Sequence, residues 1–244
     1  RDEMTKVKNA VYAILRAIKQ IIVALTFREQ RRAKINEKDR KRLRNKEFSL
    51  ISSNCNGGVM CHDLGLPFRT QFVNLWLWPK DFIKYLNNLD HYNSIDEIRF
   101  LPPDMRRGHQ YPIGFVDDLE VHFTHYKSDE EALIKWNERK RRMNKDNIFV
   151  MMSEQNNCTM EDLIEFDKLP YKNKVVFTKQ PYPNIKSGFY ISGFETKKEI
   201  GTVLAFKNVF SAKRFYDCFP YVDWFNGDYR VEQDTTNENT IHSV

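Results

Sequence analysis

The period of the hydrophobic positions changes several times along the chain. Val7, Val11, Ile14, Leu15, Ile18, Ile21, Ile22 and Leu25 recur every three or four residues, the spacing of one helical face. Past Arg28 that apolar face fades, while the Glu37–Lys41 pair still favours helix. From Glu47 onward the apolar runs shorten and alternate with helical stretches. Residues 48–53, 72–77, 95–100, 148–152 and 175–178 read as strands, and 189–192 and 203–206 as shorter ones. Residues 113–116 and 119–123 flank Asp117-Asp118 as a hairpin or one bent strand.

Helices are expected over residues 59–64, 80–89, 129–144, 160–169 and 212–219. Pro79 suits a first helical turn, and Ser128 with Glu131 and Thr159 with Asp162 carry N-cap signatures. Strands alternating with helices at this spacing predict an α/β domain, Rossmann-like, with a mostly parallel sheet and helices on both faces. A basic amphipathic helical arm, residues 1–46, is expected to precede the α/β domain of residues 47–232. A polar tail, 233–244, follows.

Charge sharpens this division. The net charge of +6 is the sum of +10 over residues 1–46 and −4 over the remainder. The basic character therefore belongs to the arm. An amphipathic helix followed by basic residues suits an anionic membrane surface, a partner helix or the protein's own core. Nucleic acid is not an expected partner, because no aromatic residue alternates with the basic ones between Arg28 and Lys46. The uncharged apolar stretch 20–27 falls well short of the ~20 residues that span a bilayer. Four cysteines without a CxxC pair exclude a dense disulfide framework and fit a reducing cytoplasm. No signal-peptide pattern is visible.

In open parallel sheets, ligands gather where strands end and loops leave for helices. The loop Asn54-Cys55-Asn56-Gly57-Gly58 follows the first strand and precedes a helix, so its backbone N–H groups can meet an anion. Gly57 and Gly58 are expected to allow positive φ and close backbone approach. Cys55 is a candidate nucleophile or ligand contact, its thiolate favoured by the helix N-terminus. The alternative is a small buried cysteine in a tight turn. His125 ends another strand and is the candidate acid or base, while His122 reads as structural. Lys127, Glu154 and Lys179 lie at further strand ends and are candidate donor- or substrate-binding groups. Asp117-Asp118 is either a turn or a metal-binding pair beside a diphosphate. Cys61-His62 lacks the spacing of a zinc site, and no metal is expected.

These residues also resemble a family. The Asn54-Cys55 and Gly57-Gly58 loop, Pro112 to Asp118, His125-Tyr126-Lys127-Ser128 with Glu130-Glu131-Ala132, Lys135-Trp136, Arg139 and Arg142, Cys158 and the Phe166-to-Pro170 segment look like a bacterial domain of unknown function. Its members are commonly labelled exopolysaccharide or capsule biosynthesis proteins. The resemblance covers roughly residues 47–195 and leaves the arm outside. It implies a Rossmann-like domain and a role in making or decorating surface glycans. The asparagine-cysteine loop is also similar to that of coenzyme A-binding polysaccharide acetyltransferases.

The expectation is thus a cytoplasmic transferase, peripheral on the inner face of the plasma membrane. It would use acetyl-CoA and act on a glycan or lipid-linked glycan. A metal-assisted glycosyltransferase and a non-catalytic membrane-associated scaffold are the alternatives, and the N-terminal helix offers a route to oligomers.

Overall fold

In the computed structural model, residues 2–231 are described; the expected polar tail lies outside them. Helix α1 (Asp2–Arg42) leads into β1 (Ser49–Ser52), and α2 (Asn56–Asp63) follows. Then come β2 (Trp76–Leu77), α3 (Pro79–Asn87), α4 (Leu89–Ser94), β3 (Arg99–Phe100), β4 (Ile113–Val116), β5 (Leu119–His122) and α5 (Asp129–Lys140). The chain continues through β6 (Ile148–Ser153), α6 (Met160–Lys168), β7 (Lys174–Thr178), β8 (Gly188–Tyr190) and α7 (Tyr221–Asn226).

Four strands form a parallel sheet in the order β1-β6-β7-β8, with Ser49 beside Ile148 and Met151 beside Val175. This is the expected mostly parallel α/β sheet. Both its faces are covered, so β1, β6 and β7 are buried at nearly every position and carry apolar residues side by side in their centres. Side chains alternate between faces along a strand. Ile51, Val150, Met152 and Val176 enter one core with Phe82 of α3, Trp136 of α5 and Phe166 of α6. Leu50, Phe149, Met151 and Val175 enter a second core with Met60 of α2 and Trp224 and Phe225 of α7.

A second, antiparallel sheet runs β2-β5-β4-β3. Of the two forms expected around Asp117-Asp118, the hairpin is present and makes its centre, with Asp117 at φ 55°. Leu77, Val116, Leu119 and Val121 face the first core from this sheet. Its edge strands are only two residues long where longer runs were expected over 72–77 and 95–100. Phe72 and Leu75 are buried without strand pairing. The expected strand at 203–206 is reduced to one bridge, Phe206 with Arg214. The expected late helix at 212–219 shrinks to a single tight turn, Phe215–Cys218, and α7 begins after Pro220.

Helix α1 has two kinds of surface. Between residues 7 and 27 its large apolar side chains are exposed, Val11, Tyr12, Ile18, Ile22 and Phe27 among them. An 18-residue window in this helix has a mean hydropathy of 1.7, which is long and apolar enough to cross a membrane by length and composition alone. Arg16 and Lys19 cut the uncharged run without offsetting that average. The later turns dock instead. Arg32, Asn36, Asp39 and Leu43 are buried, and Arg32 reaches Asp63 at 3.0 Å and Asp217 at 2.5 Å.

Candidate functional site

The carboxyl ends of β1, β6 and β7 are stitched together by polar side chains. Asn54 sits just past β1, where its Oδ1 accepts the Asn56 N–H at 3.0 Å and its Nδ2 donates to Gln155 Oε1 at 2.9 Å. Asn56 Nδ2 donates to Ser153 Oγ at 3.1 Å. Glu154 is buried. Its carboxylate accepts the Lys179 N–H at 2.9 Å and the Tyr182 hydroxyl at 2.8 Å, with the Lys179 ammonium 3.6 Å away. Burial beside Glu154 pushes the Tyr182 hydroxyl up to about 12. Gln155 Nε2 donates to the carbonyls of Ile200 and Gly201, which closes the loop after β8 over this end of the sheet.

The glycine turn has a different role from the expected one. Neither Gly57 nor Gly58 has positive φ. A Cβ on Gly57 would lie 2.7 Å from Ser52 Cβ, so glycine is required for α2 to approach β1. The Gly57 N–H donates to Ser52 Oγ at 3.3 Å. With the Asn56 N–H taken by Asn54, two donors at the start of α2 are satisfied within the protein rather than left for an anion. A closed gap of about 10 Å³ behind Gly57 and Gly58 marks a packing contact.

Cys55 is half-buried, and its thiol points to the Leu75 carbonyl at 3.8 Å. Burial raises its pKa above the ordinary value, against the expected thiolate. His125 is exposed, and its backbone N–H donates to the Asn74 carbonyl at 3.3 Å. The loops carrying Cys55 and His125 therefore rest on adjacent residues of one segment. Lys127 is exposed two residues further on. The strand before His125, β5, is antiparallel and not a member of the parallel sheet, so His125 is carried by the second sheet. The Leu77 N–H bonds the Ser53 carbonyl at 3.1 Å, which seats β2 on the end of β1.

Asn54, Asn56, Gly57, Glu154 and Lys179 thus share the end of the parallel sheet, and Cys55 and His125 border it on the side of β2. The parallel strands follow chain order, so the reversal that opens a crevice in doubly wound sheets is missing among the described strands. An open groove of about 750 Å³ lies elsewhere, along α1 beside Arg16, Lys19, Phe27 and Phe210. Asp117 and Asp118 cap the hairpin turn, bonded to His91 and to Lys84 and Tyr92. Among the described residues, no group of three His, Cys, Asp or Glu side chains is placed to hold a metal.

Two residues escaped the sequence reading. Trp76 and Trp78 are both half-exposed, at positions whose period of two sets both indoles on one side of the extended segment. The Trp-x-Trp spacing, opposite Glu120-x-His122, was the available signal.

With its polar loops collected at the strand ends, the chain falls in the class of α/β domains built on a parallel sheet flanked by helices. Within that class this chain belongs to the family described as a domain of unknown function, DUF1919, whose model matches residues 26–226. The match takes in the docked turns of α1 as well as the α/β body. The chain is also 44% identical over 192 residues to an uncharacterized protein of Haemophilus influenzae, an overlap of 79% of this chain and 90% of that relative.

Proposed function

We propose that the protein is a transferase of surface-polysaccharide assembly that moves an acyl group, acetyl in the simplest case, onto a sugar hydroxyl. The observation that carries this reading is the meeting of the Cys55 and His125 loops on Asn74 and Leu75, at the polar end of the parallel sheet. The substrate class is what the motif resemblance to proteins labelled exopolysaccharide or capsule biosynthesis implies. Acetyl-CoA is the donor in this reading and a glycan or lipid-linked glycan the acceptor. The His125 imidazole takes the proton of the acceptor hydroxyl as general base. The hydroxyl oxygen then bonds to the acyl carbon, the thioester C–S bond breaks, and the imidazolium returns its proton to the leaving thiolate. Cys55, held as a thiol by its burial, contacts the donor rather than attacking it. Asn54 and the turn at Asn56, Gly57 and Gly58 wall the donor side, Glu154 and Lys179 form the polar floor, and Lys127 meets phosphate.

The arm tethers the enzyme to the cytoplasmic face of the membrane in this proposal, with its exposed apolar side chains against lipid and its basic residues against anionic headgroups. Co-sedimentation should be stronger with anionic than with neutral vesicles. Equal pelleting with both removes the electrostatic part.

The decisive experiment is acetyl transfer from acetyl-CoA to capsule-type oligosaccharides. His125→Ala should abolish it, and Cys55→Ala should weaken donor binding. Full activity in both variants refutes the site. A nucleotide sugar that stabilises the protein only with Mn²⁺ or Mg²⁺, where acetyl-CoA does not, would favour the glycosyltransferase alternative.

A further inference from the structure

The outer face of the antiparallel sheet carries a cluster of aromatic and charged groups with no role in the chemistry above. Two of the four tryptophans, Trp136 and Trp224, are almost wholly buried. Trp76 and Trp78 are half-exposed and yet held in fixed orientations. The Trp76 ring stacks on His122 with centroids 3.7 Å apart and planes 14° from parallel. Trp78 stands perpendicular to Trp76, at 4.9 Å and 85°. The Trp78 indole N–H donates to Glu120 Oε1 at 3.0 Å.

The same oxygen takes a bond from His122 Nε2 at 2.7 Å and one from Arg107 at 2.5 Å. None of these three falls on Oε2. Burial works to raise the Glu120 carboxyl, but these bonds outweigh it and hold it below its ordinary value. His122 is lowered to about 4 by burial, despite the carboxylate, so a neutral ring makes the bond. Arg107 sits at φ 54°, before Gly108 at φ 82°, in a turn that brings its exposed guanidinium over the sheet.

A pyranose ring has one or two faces of C–H groups and an edge of hydroxyls. The C–H faces suit the negative face of an indole, and the hydroxyl edge needs a strong acceptor and a strong donor side by side. Trp76 and Trp78 offer the first, and Glu120 with Arg107 the second. A purely structural cluster would satisfy its apolar surface by burying the indoles, as Trp136 and Trp224 do. Trp76 also adjoins Leu75, whose carbonyl receives the Cys55 thiol. We propose that Trp76, Trp78, Glu120 and Arg107 form a subsite for a neutral pyranose unit of the acceptor glycan, beside the transfer site. As an acceptor subsite it rests on the transferase reading; as a saccharide site it can be tested without it.

Because Trp136 and Trp224 are shielded, acrylamide quenching of the intact protein reports chiefly on Trp76 and Trp78. The probes are methyl glucoside, methyl galactoside, N-acetylglucosamine and rhamnose, with adenosine as the flat aromatic control. At least one pyranoside should protect against quenching in a saturable way. Glu120→Gln and Arg107→Ala should each raise its dissociation constant about fivefold or more, as removal of a central contact does. Arg107 is exposed, so its loss spares the fold. The subsite is overturned if no pyranoside protects, if only adenosine does, or if protection is unchanged in both variants. Cys55→Ala and His125→Ala should leave protection intact. If neither loses transfer activity while protection persists, the transfer mechanism fails and the saccharide site stands.

Discussion

Replacing Arg32 tests whether the later turns of α1 are an integral part of the folded body. Its side chain is 3% exposed and bridges Asp63 of α2 and Asp217 beside α7, and it also contacts the Tyr216 hydroxyl. Both carboxylates are nearly as buried, at 10% and 7%. Arg32→Met keeps most of the volume but leaves the buried Asp217 without its cation and Asp63 with only the more distant Arg214, at 3.7 Å. Breaking a buried pair in this way costs about 3–5 kcal/mol, because the remaining charge has lost its compensation. Arg32 Nε and Asp217 Oδ1 already lack hydrogen-bond partners among the described residues, so the native network is imperfect. That places the loss toward the low end, about 3 kcal/mol. For a domain of this size each kcal/mol moves the midpoint by roughly 2–4 °C, so Tm should fall by about 6–12 °C. Thermal unfolding followed by circular dichroism measures it. Arg42→Ala is the control, since its guanidinium is half-exposed, paired with the exposed Asp223 at 2.7 Å and more loosely with Asp39 at 3.5 Å, and exposed pairs contribute about 0–1 kcal/mol. Adding Asp63→Leu and Asp217→Leu to Arg32→Met should recover much of the loss. A Tm for Arg32→Met no lower than that of Arg42→Ala would refute the claim that this helix is clamped to the body.

Three further outcomes are expected. Gly57→Ala should destabilise by about 1–3 kcal/mol, since its Cβ would press on Ser52 Cβ at 2.7 Å; urea midpoints check it. His122 titrates near 4 in the folded state, below its ordinary 6.5, so the unfolded chain binds the proton more readily. Stability should therefore fall as pH drops from about 6.5 toward 4, by on the order of 3 kcal/mol from this group, and His122→Gln should flatten that part of the profile. Alkylation of Cys55 by iodoacetamide should remain slow at neutral pH and accelerate only in alkaline solution, because burial raises its pKa above 9.0. Rapid modification at pH 7 would show a thiolate there and reverse the role given to it above.

What could be read from the sequence follows from how local each signal is. The runs that become β1, β6 and β7 carry apolar residues at consecutive positions, Leu50-Ile51, Ile148 to Met152 and Val175 to Phe177, as a strand covered on both faces needs. The N-cap signatures at Ser128 and Thr159 depend on residues three apart, and both appear, with Thr159 Oγ1 accepting the Asp162 N–H at 3.2 Å. The second sheet was less legible because β2 and β3 are two residues long and are defined by pairing with distant strands. The docking of α1 was hidden for another reason. Arg32, Asn36 and Asp39 keep the helical spacing of a buried face but are polar, so hydropathy reads the face as fading where the charges of Asp63 and Asp217 complete it.

In the candidate site, Asn54, Asn56, Glu154 and Lys179 were recoverable from one rule, that strand ends converge. The limits of that rule show at Cys55 and Gly57. The height of a thiol's pKa depends on what covers it, and the reason for a glycine depends on what lies against its missing Cβ. Neither neighbour is adjacent in sequence: Leu75 lies 20 residues from Cys55, and Ser52 lies 5 from Gly57 on the preceding strand.

Helix α1 contains neither glycine nor proline over its 41 residues. It therefore works as an unjointed strut, gripped at one end by Arg32 and bare at the other. Anything that seizes the bare end also sets the compass bearing of the strand-end loops. Because each helical residue turns the axis by about 100°, one residue inserted between Phe27 and Arg32 would swing those loops to a new heading without touching a single atom among them.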